Sequence, residues 1–150
     1  MSKTTFVYVT YIAATPEKVF QALTEPAVTR QYWGLENVSD WQPGSPWRHQ
    51  SGNDSKTVRI LGEVVECAPP RRLVITWASP ADAANRNKHT RVAFDIERIE
   101  NMVKLTVTHD ELERGSEMER GITEGWPRVL SSLKTFLETG RPLDTWAGKK

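Results

Sequence analysis

Three histidines and one cysteine are the side chains best suited to chemistry in this 150-residue chain. His49, His89 and His109 lack the short spacing of a local metal site, so no metal is predicted. Cys67 ends a strand-like run without an activating base beside it, which favours a structural role. His109 falls on the inward phase of a predicted strand. There it could anchor a ligand or, as is commoner for a lone inward histidine, form hydrogen bonds within the core.

The common catalytic motifs are absent. The sequence contains no G-x-S-x-G elbow, no G-x-x-x-x-G-K-[ST] phosphate loop and no G-x-G-x-x-G fingerprint. Carboxylates occur singly on predicted strands and are typical of solvated faces. We therefore predict no catalytic residue and no cofactor, and a non-enzymatic function is favoured. If the protein is an enzyme, His109 is the strongest candidate for its acid or base.

Six tryptophans are the unusual feature of the composition. Each has a large ring to bury and an N–H group that requires a partner, so they cannot all fill a core as leucine would. Core filling explains any single one, whereas their recurrence in separate predicted elements indicates a cavity with aromatic walls. They are Trp33, Trp41, Trp47, Trp77, Trp126 and Trp146.

Charge and composition limit the partners. Twenty Lys and Arg against 19 Asp and Glu leave a formal charge of +1, which is too balanced for non-specific nucleic-acid binding. The single cysteine and the polar N-terminus, which lacks the apolar core of a signal peptide, predict a cytoplasmic location. No apolar run approaches the roughly 20 residues that span a bilayer, so membrane insertion is not expected.

The candidate residues must be positioned by a long C-terminal helix and the elements before it. Apolar residues recur there at steps of three or four, namely Ile122, Trp126, Val129, Leu130, Leu133, Phe136 and Leu137. Pro127 predicts a kink, because it cannot donate a hydrogen bond to the carbonyl of Thr123. Gly140 is expected to end the helix, which leaves one domain over residues 1–140 and a C-terminal tail over 141–150.

The elements before this helix are short and clearly separated. A first strand over 6–12 is followed by a helix with Thr15 as N-cap and Pro16 at its first position, and Pro26 begins a second short helix. Period-two patterns then predict antiparallel strands near residues 47–50, 57–66, 73–77, 92–97 and 103–109. The charged run 110–114 is predicted to be an exposed loop.

Several local sequences occur in a characteristic order: Ile12–Phe20, Ala22–Pro26, Gly62–Glu66, Pro69–Leu73, Gly125-Trp126 and Leu137–Gly140. In this combination the chain resembles the activator of heat shock protein 90 ATPase homologue-like family of the helix-grip superfamily (SRPBCC, START-like, Bet v 1-like). The resemblance implies an α+β helix-grip fold, in which a curved antiparallel β-sheet wraps around a long kinked C-terminal α-helix, with two short helices after the first strand. A bent sheet against a straight helix leaves space at one end unless large side chains fill it.

The resemblance leaves three functions open, because this superfamily hosts several on one architecture. The favoured one is a single-domain START-like protein that binds an apolar or aromatic small molecule in a cavity between the sheet and the C-terminal helix. The alternatives are an enzyme of the polyketide cyclase or hydrolase type using the same cavity, and a chaperone ATPase co-factor in the stress response. The predicted ligand-binding residues, chosen by inward phase and nearness to the predicted kink, are Trp33, Trp47, Ile60, Ile75, Trp77, Phe94, Leu105, His109, Trp126 and Leu130.

Overall fold

A computed structural model describes residues 2–52 and 56–143 of the chain. In these residues seven strands form one sheet, which packs against a long helix. The strands are β1 (Lys3–Ile12), β2 (Leu35–Val38), β3 (Pro46–Ser51), β4 (Val58–Ala68), β5 (Arg72–Trp77), β6 (Thr90–Ile99) and β7 (Met102–Glu113). The helices are α1 (Pro16–Thr24), α2 (Pro26–Trp33) and α3 (Glu117–Thr139), and two short 3-10 turns, Pro80–Asp82 and Arg86–Lys88, lie between β5 and β6.

The sheet is antiparallel throughout, with spatial order β1-β7-β6-β5-β4-β3-β2. α1 and α2 connect β1, at one edge, to β2, at the opposite edge, and the remaining strands follow one another back across the sheet. This is the α+β helix-grip architecture that the sequence predicts, and the prediction is confirmed.

Local sequence explains where the helices begin and end. The side chain of Thr15 accepts a hydrogen bond from the Lys18 N–H at 3.2 Å, so it caps α1 as predicted. Gly34 ends α2 in the left-handed conformation with φ of 89°, which glycine adopts without steric cost. Ser116 caps α3 in the same way as Thr15 caps α1.

The core lies between α3 and the inner face of the sheet. The helix continues unbroken through Pro127 and buries five residues of the predicted stripe, whereas Phe136 and Leu137 are half-buried. The five are Ile122, Trp126, Val129, Leu130 and Leu133. The predicted inward phase of β7 is also confirmed, because its alternate residues are fully buried: Val103, Leu105, Val107 and His109.

Two parts of the fold differ from the sequence predictions. β2 was not predicted, because two of its four residues, Glu36 and Asn37, are polar and yet buried. The prediction of a loop over the charged run was wrong: β7 continues to Glu113 and buries Leu112 completely. The predicted tail lies outside the described residues beyond Leu143, and Trp146 falls in that part.

The C-terminal half of α3 is fastened to the edge strand β1. The Lys134 ammonium donates a hydrogen bond to the carbonyl of Tyr11 at 2.8 Å, and the Glu138 carboxylate accepts one from the N–H of Ala13 at 2.8 Å. Lys134 and Glu138 also form an ion pair at 2.7 Å. The helix therefore contacts the backbone at the end of β1.

A hydrogen bond from a side chain of β3 to the backbone of β5 crosses over β4. Gly62 lies opposite Trp47 in the β3–β4 pairing, and the Trp47 indole N–H donates a hydrogen bond to the carbonyl of Thr76 at 2.7 Å. A Cβ atom on Gly62 would lie only 2.0 Å from that same carbonyl oxygen. Glycine is therefore the residue that allows this arrangement.

Candidate functional site

A cavity of about 140 Å³ lies between the N-terminal half of α3 and the inner face of the sheet. The end of α2 closes one side of it. Its walls are aromatic and aliphatic, and the lining residues that the structure describes carry no formal charge. They are Trp33, His49, Ile60, Trp77, Gly121, Ile122, Gly125, Trp126 and Val129.

Four of the ten predicted ligand-binding residues line this cavity, namely Trp33, Ile60, Trp77 and Trp126. Three others form the layer behind them. Trp47 and His109 both contact the Trp77 ring with centroids 5.5 Å apart, and Phe94 meets Trp126 edge-on at 5.8 Å. The remaining three are buried core residues that do not line the cavity: Ile75, Leu105 and Leu130.

The structure adds lining residues that the sequence reasoning missed. His49 lies two residues after Trp47 on β3, so the period of a strand already placed both on one face. Gly121 and Gly125 lie beside the apolar stripe of α3 at helical spacing. They were missed because glycine has no side chain and does not contribute to an apolar pattern. Ile122 and Val129 belong to the predicted stripe without having been assigned to the ligand site.

The hydrogen bonds of His49 determine which of its ring nitrogens carries the proton. Nδ1 lies 2.6 Å from Oδ1 of Asn37, and the Asn37 amide N–H donates to the carbonyl of Leu23 at 3.0 Å. The Asn37 oxygen is therefore an acceptor, so His49 donates from Nδ1 and its Nε2 is an acceptor. Nε2 has no hydrogen-bond partner among the described residues. Burial first, and then the positive charge of Arg59, lower the pKa of His49 to about 3, so the ring is neutral.

A second polar group of the cavity wall also lacks a partner. Trp77 is 6% exposed, and its indole N–H forms no hydrogen bond within the part of the chain that the structure describes. A buried donor without an acceptor is costly, by about 1–3 kcal/mol, and is uncommon in folded proteins. The centroids of the His49 and Trp77 rings lie 6.2 Å apart. The Trp77 nitrogen is itself buried, so this donor is not exposed to an occupant of the cavity.

His109, in contrast, has both ring nitrogens occupied. The Thr90 hydroxyl donates to the carbonyl of Trp77 at 2.9 Å, so its oxygen accepts from Nε2 of His109 at 2.7 Å. Nδ1 accepts the indole N–H of Trp126 at 3.0 Å. Burial lowers the pKa of His109 to about 3, against a smaller opposing effect of Asp110. This histidine is a neutral, fully bonded part of the cavity's support.

The α3 side of the cavity is lined by backbone at two positions. Gly125 is half-buried and Gly121 is exposed, so the cavity approaches the surface between them. A Cβ atom built on either glycine would meet no atom within 4 Å. Glycine at these two positions therefore leaves unfilled space beside the helix, and it is not needed to let a neighbouring group pack closely.

A larger cavity of about 410 Å³ lies beside the first turn of α3, where the 3-10 turns meet the end of β7. Its lining is mostly charged or polar, including Lys3, Asp82, Lys88, Glu113 and Glu117. In the described residues, no three His, Cys, Asp or Glu side chains converge to hold a metal ion. Solvent is the natural occupant of such a surface.

The antiparallel sheet and the long helix packed on it, with a small apolar cavity between them, define a helix-grip, START-like domain. Residues 13–138 match the sequence model of the family described as Activator of Hsp90 ATPase homolog 1-like protein. The chain belongs to this family, as its local sequences predicted. No curated protein matches the sequence. None of the described helices is long and apolar enough to cross a membrane.

Solved structures from three organisms share the fold. The Aha1 dimer from Colwellia psychrerythraea is 22% identical with a TM-score of 0.76, and the alignment covers 91% of this chain and 98% of that one. An Hsp90 activator from Plasmodium falciparum is 23% identical with a TM-score of 0.71, covering 92% and 97%. CalU16 from Micromonospora echinospora is 22% identical with a TM-score of 0.70, covering 91% and 77%. At these identities the similarity shows the fold alone.

Proposed function

We propose that this protein binds a small apolar or aromatic molecule in the cavity between α3 and the sheet. The observation that carries the proposal is the uncharged, largely aromatic lining of a space of about 140 Å³. A dry apolar cavity of about 150 Å³ in a protein core is large enough to bind benzene. Most of the interior is filled by the tryptophans themselves, so a guest would be small.

The glycines of α3 support this proposal independently. Each glycine inside a helix costs about 0.5–1 kcal/mol relative to alanine. Neither Gly121 nor Gly125 has a neighbour that would collide with an added Cβ. Packing therefore gives no reason for glycine at these positions, whereas an open cavity wall does.

The experiment is to measure binding of toluene and indole by calorimetry, with thermal unfolding alongside. At a hundredfold excess over the dissociation constant, a ligand should stabilise the fold by about 2.7 kcal/mol. Gly125→Leu should place a side chain at the cavity and weaken binding at least tenfold. Thr123→Leu adds the same side chain to an exposed position of α3 and should leave binding unchanged. The absence of binding by any apolar probe in the wild type would refute the proposal.

Activation of a chaperone ATPase is a second candidate function, favoured by the family match over residues 13–138. It predicts that the purified protein stimulates the ATPase of Hsp90. Because docking would use the surface, Gly125→Leu should leave the stimulation unchanged. An ATPase rate that does not respond to the protein at saturating concentration would rule this candidate out.

An enzyme of the cyclase or hydrolase type has less support. Such an enzyme needs an acid or base that can exchange a proton with a substrate. His109, the sequence candidate, has both ring nitrogens engaged by Thr90 and Trp126. Its geometry suits structural support better than proton transfer.

A further inference from the structure

We infer that the cavity takes a neutral aromatic molecule with an N–H or O–H group on its ring, and that this group donates a hydrogen bond to Nε2 of His49. The inference rests on the proposed function, because it specifies the ligand of the same cavity. Three properties of the site lead to it: a fixed acceptor without a partner, the access of that acceptor to the cavity, and the uncharged lining that the structure describes.

The acceptor is held in place by Asn37. Oδ1 of Asn37 accepts the Nδ1–H of His49 at 2.6 Å, and the Asn37 amide N–H donates to the carbonyl of Leu23. His49 and Asn37 are 3% and 5% exposed, so water does not compete for these bonds. A half-turn of the imidazole ring would place the carbon Cδ2 against the Asn37 oxygen and lose the hydrogen bond. The lone pair of Nε2 therefore stays without a partner among the described residues.

Nε2 of His49 is accessible, unlike the nitrogen of Trp77. Within the described ranges, the Trp77 nitrogen is the only unpartnered side-chain nitrogen or oxygen with less than 1 Å² of accessible surface. Nε2 of His49 also has no partner, so it retains at least that much surface. The ring lines the cavity and packs against Trp33, Trp47 and Trp77, at centroid distances of 4.3, 6.4 and 6.2 Å. The accessible edge of this buried ring therefore faces the cavity.

The lining requires a neutral ligand. The lining side chains that the structure describes are apolar or aromatic apart from His49, whose imidazole is neutral. An ionised carboxylate or ammonium group would lose its hydration without gaining a counter-charge, which is strongly unfavourable. Indole is a neutral donor, and a phenol keeps its proton at pH 7 because the phenolic pKa lies near 10.

Nε2 requires a donor on the ligand. A wholly apolar guest would separate Nε2 from water and leave a buried acceptor unpaired, which is unfavourable. An N–H or O–H group satisfies the same atom at about 2.9 Å. The space of about 140 Å³ suits one small ring system, whose faces and edges can pack against the tilted rings of Trp33 and Trp126.

The test compares two pairs of probes by calorimetry on the whole protein at pH 7. Indole and benzofuran have nearly the same shape, but indole has an N–H group where benzofuran has an oxygen. Phenol and fluorobenzene differ in the same sense, because fluorine cannot donate. One hydrogen bond to His49 should make the donor of each pair bind about fivefold more tightly. A preference in one pair alone would support the inference and show which donor fits.

A cavity without an accessible acceptor gives the opposite result. The buried N–H or O–H group would then lose its hydrogen bond to water, so benzofuran and fluorobenzene should bind more tightly than their partners. Equal binding within both pairs, or this reversed preference, would overturn the inference and leave the proposed function intact. The absence of binding by all four probes would overturn both.

A substitution then locates the acceptor. His49→Phe removes Nε2 and keeps an aromatic ring, so benzofuran should still bind while the preference for indole is lost. His89→Phe is the matched control, because it makes the same change at a histidine that does not line the cavity, and the preference should remain. An undiminished preference in His49→Phe would overturn the inference.

Nitrogen NMR of the wild type tests the same bond without a variant. His49 differs from the other two histidines, because Nε2 of His109 donates to Thr90 and Nε2 of His89 faces two carbonyl oxygens at 3.1 Å. An unprotonated Nε2, coupled to both carbon-bound ring protons, therefore identifies His49. Its resonance should move upfield with indole and far less with benzofuran. An unchanged resonance under saturating indole would overturn the inference even if His49→Phe does not fold.

Discussion

The indole N–H of Trp126 on α3 donates a hydrogen bond to Nδ1 of His109 on β7, at 3.0 Å. The connection continues from His109 to the hydroxyl of Thr90, and from there to the carbonyl of Trp77. One polar chain thus joins the helix to three neighbouring strands behind the cavity. Every donor and acceptor in it has one role, so the loss of one member leaves a buried atom unpaired.

Replacing Trp126 by Phe should show how much these linked hydrogen bonds contribute to the free energy of unfolding. The variant leaves Nδ1 of His109 buried without a donor, which should lower the free energy of unfolding by about 1–3 kcal/mol beyond the loss of ring area. Urea unfolding measures the change. Trp33→Phe removes the same ring atoms where the indole has no hydrogen bond within the described residues, and it should cost less. Equal losses in the two variants would argue against the prediction.

Acidification should destabilise the fold through His49 and His109. Burial holds both pKa values near 3, below the unfolded value of 6.5, so the unfolded state binds more protons between these limits. The stabilisation is complete above pH 6.5 and declines as the pH falls towards 3. Each histidine should account for a loss of about 2 kcal/mol between pH 7 and pH 5, measured by urea unfolding.

A variant separates this effect from general acid denaturation. His109→Gln removes one of the two titrating groups, so its stability should fall by about 2 kcal/mol less than that of the wild type over the same interval. A wild-type stability that does not change between pH 7 and pH 5 would show that neither ring is held neutral.

Replacing Gly125 by Ala should stabilise the protein while weakening ligand binding. Alanine suits a helix better by about 0.5–1 kcal/mol, and its methyl group meets no atom within 4 Å. Gly140→Ala is the contrasting variant. It has equal space, but its φ of 85° strains an L-residue, so it should destabilise by about 1 kcal/mol. Thermal unfolding measures the stability of both variants. If Gly140→Ala were also stabilising, the positive φ at Gly140 could not be the cause of strain in an L-residue.

Gly62→Ala should be far more damaging than Gly125→Ala or Gly140→Ala. Its Cβ would lie 2.0 Å from the carbonyl oxygen of Thr76, which Trp47 already uses as an acceptor. Relief requires β4 and β5 to separate, so we expect a loss above about 3 kcal/mol or failure to fold. Circular dichroism and urea unfolding report this. A variant of wild-type stability would mean that the strands can shift at little cost.

The order of elements was predictable because local chemistry and tertiary packing agree in most of the chain. Thr15 and Pro16 are suited to a helix start, and the alternation from Val103 to His109 is the pattern of a half-buried strand. The prediction failed where polar residues are buried. Glu36 forms an ion pair with Arg30 at 2.9 Å, and Asn37 forms a hydrogen bond with His49; a hydropathy pattern does not show such polar contacts between elements.

The cavity was predictable only as an aromatic region. Inward phase identifies Trp33, Trp77 and Trp126, but it identifies core residues such as Leu105 equally well. Which residues surround a void depends on how the large rings pack, because one tilted indole decides whether a neighbour is covered. The lack of hydrogen-bond partners at Nε2 of His49 and at the indole N–H of Trp77 depends on how the surrounding groups pack, which a single sequence does not specify.

The fastening of α3 to β1 has a consequence for solubility. β1 is a long edge strand whose outward side chains Val7 and Val9 are 55% and 42% exposed, a combination prone to pairing with strands of other molecules. Lys134 and Glu138 occupy backbone groups at one end of this edge and place charges beside it. The last turns of the helix thus make the backbone groups at this end of the edge unavailable to a strand of another molecule.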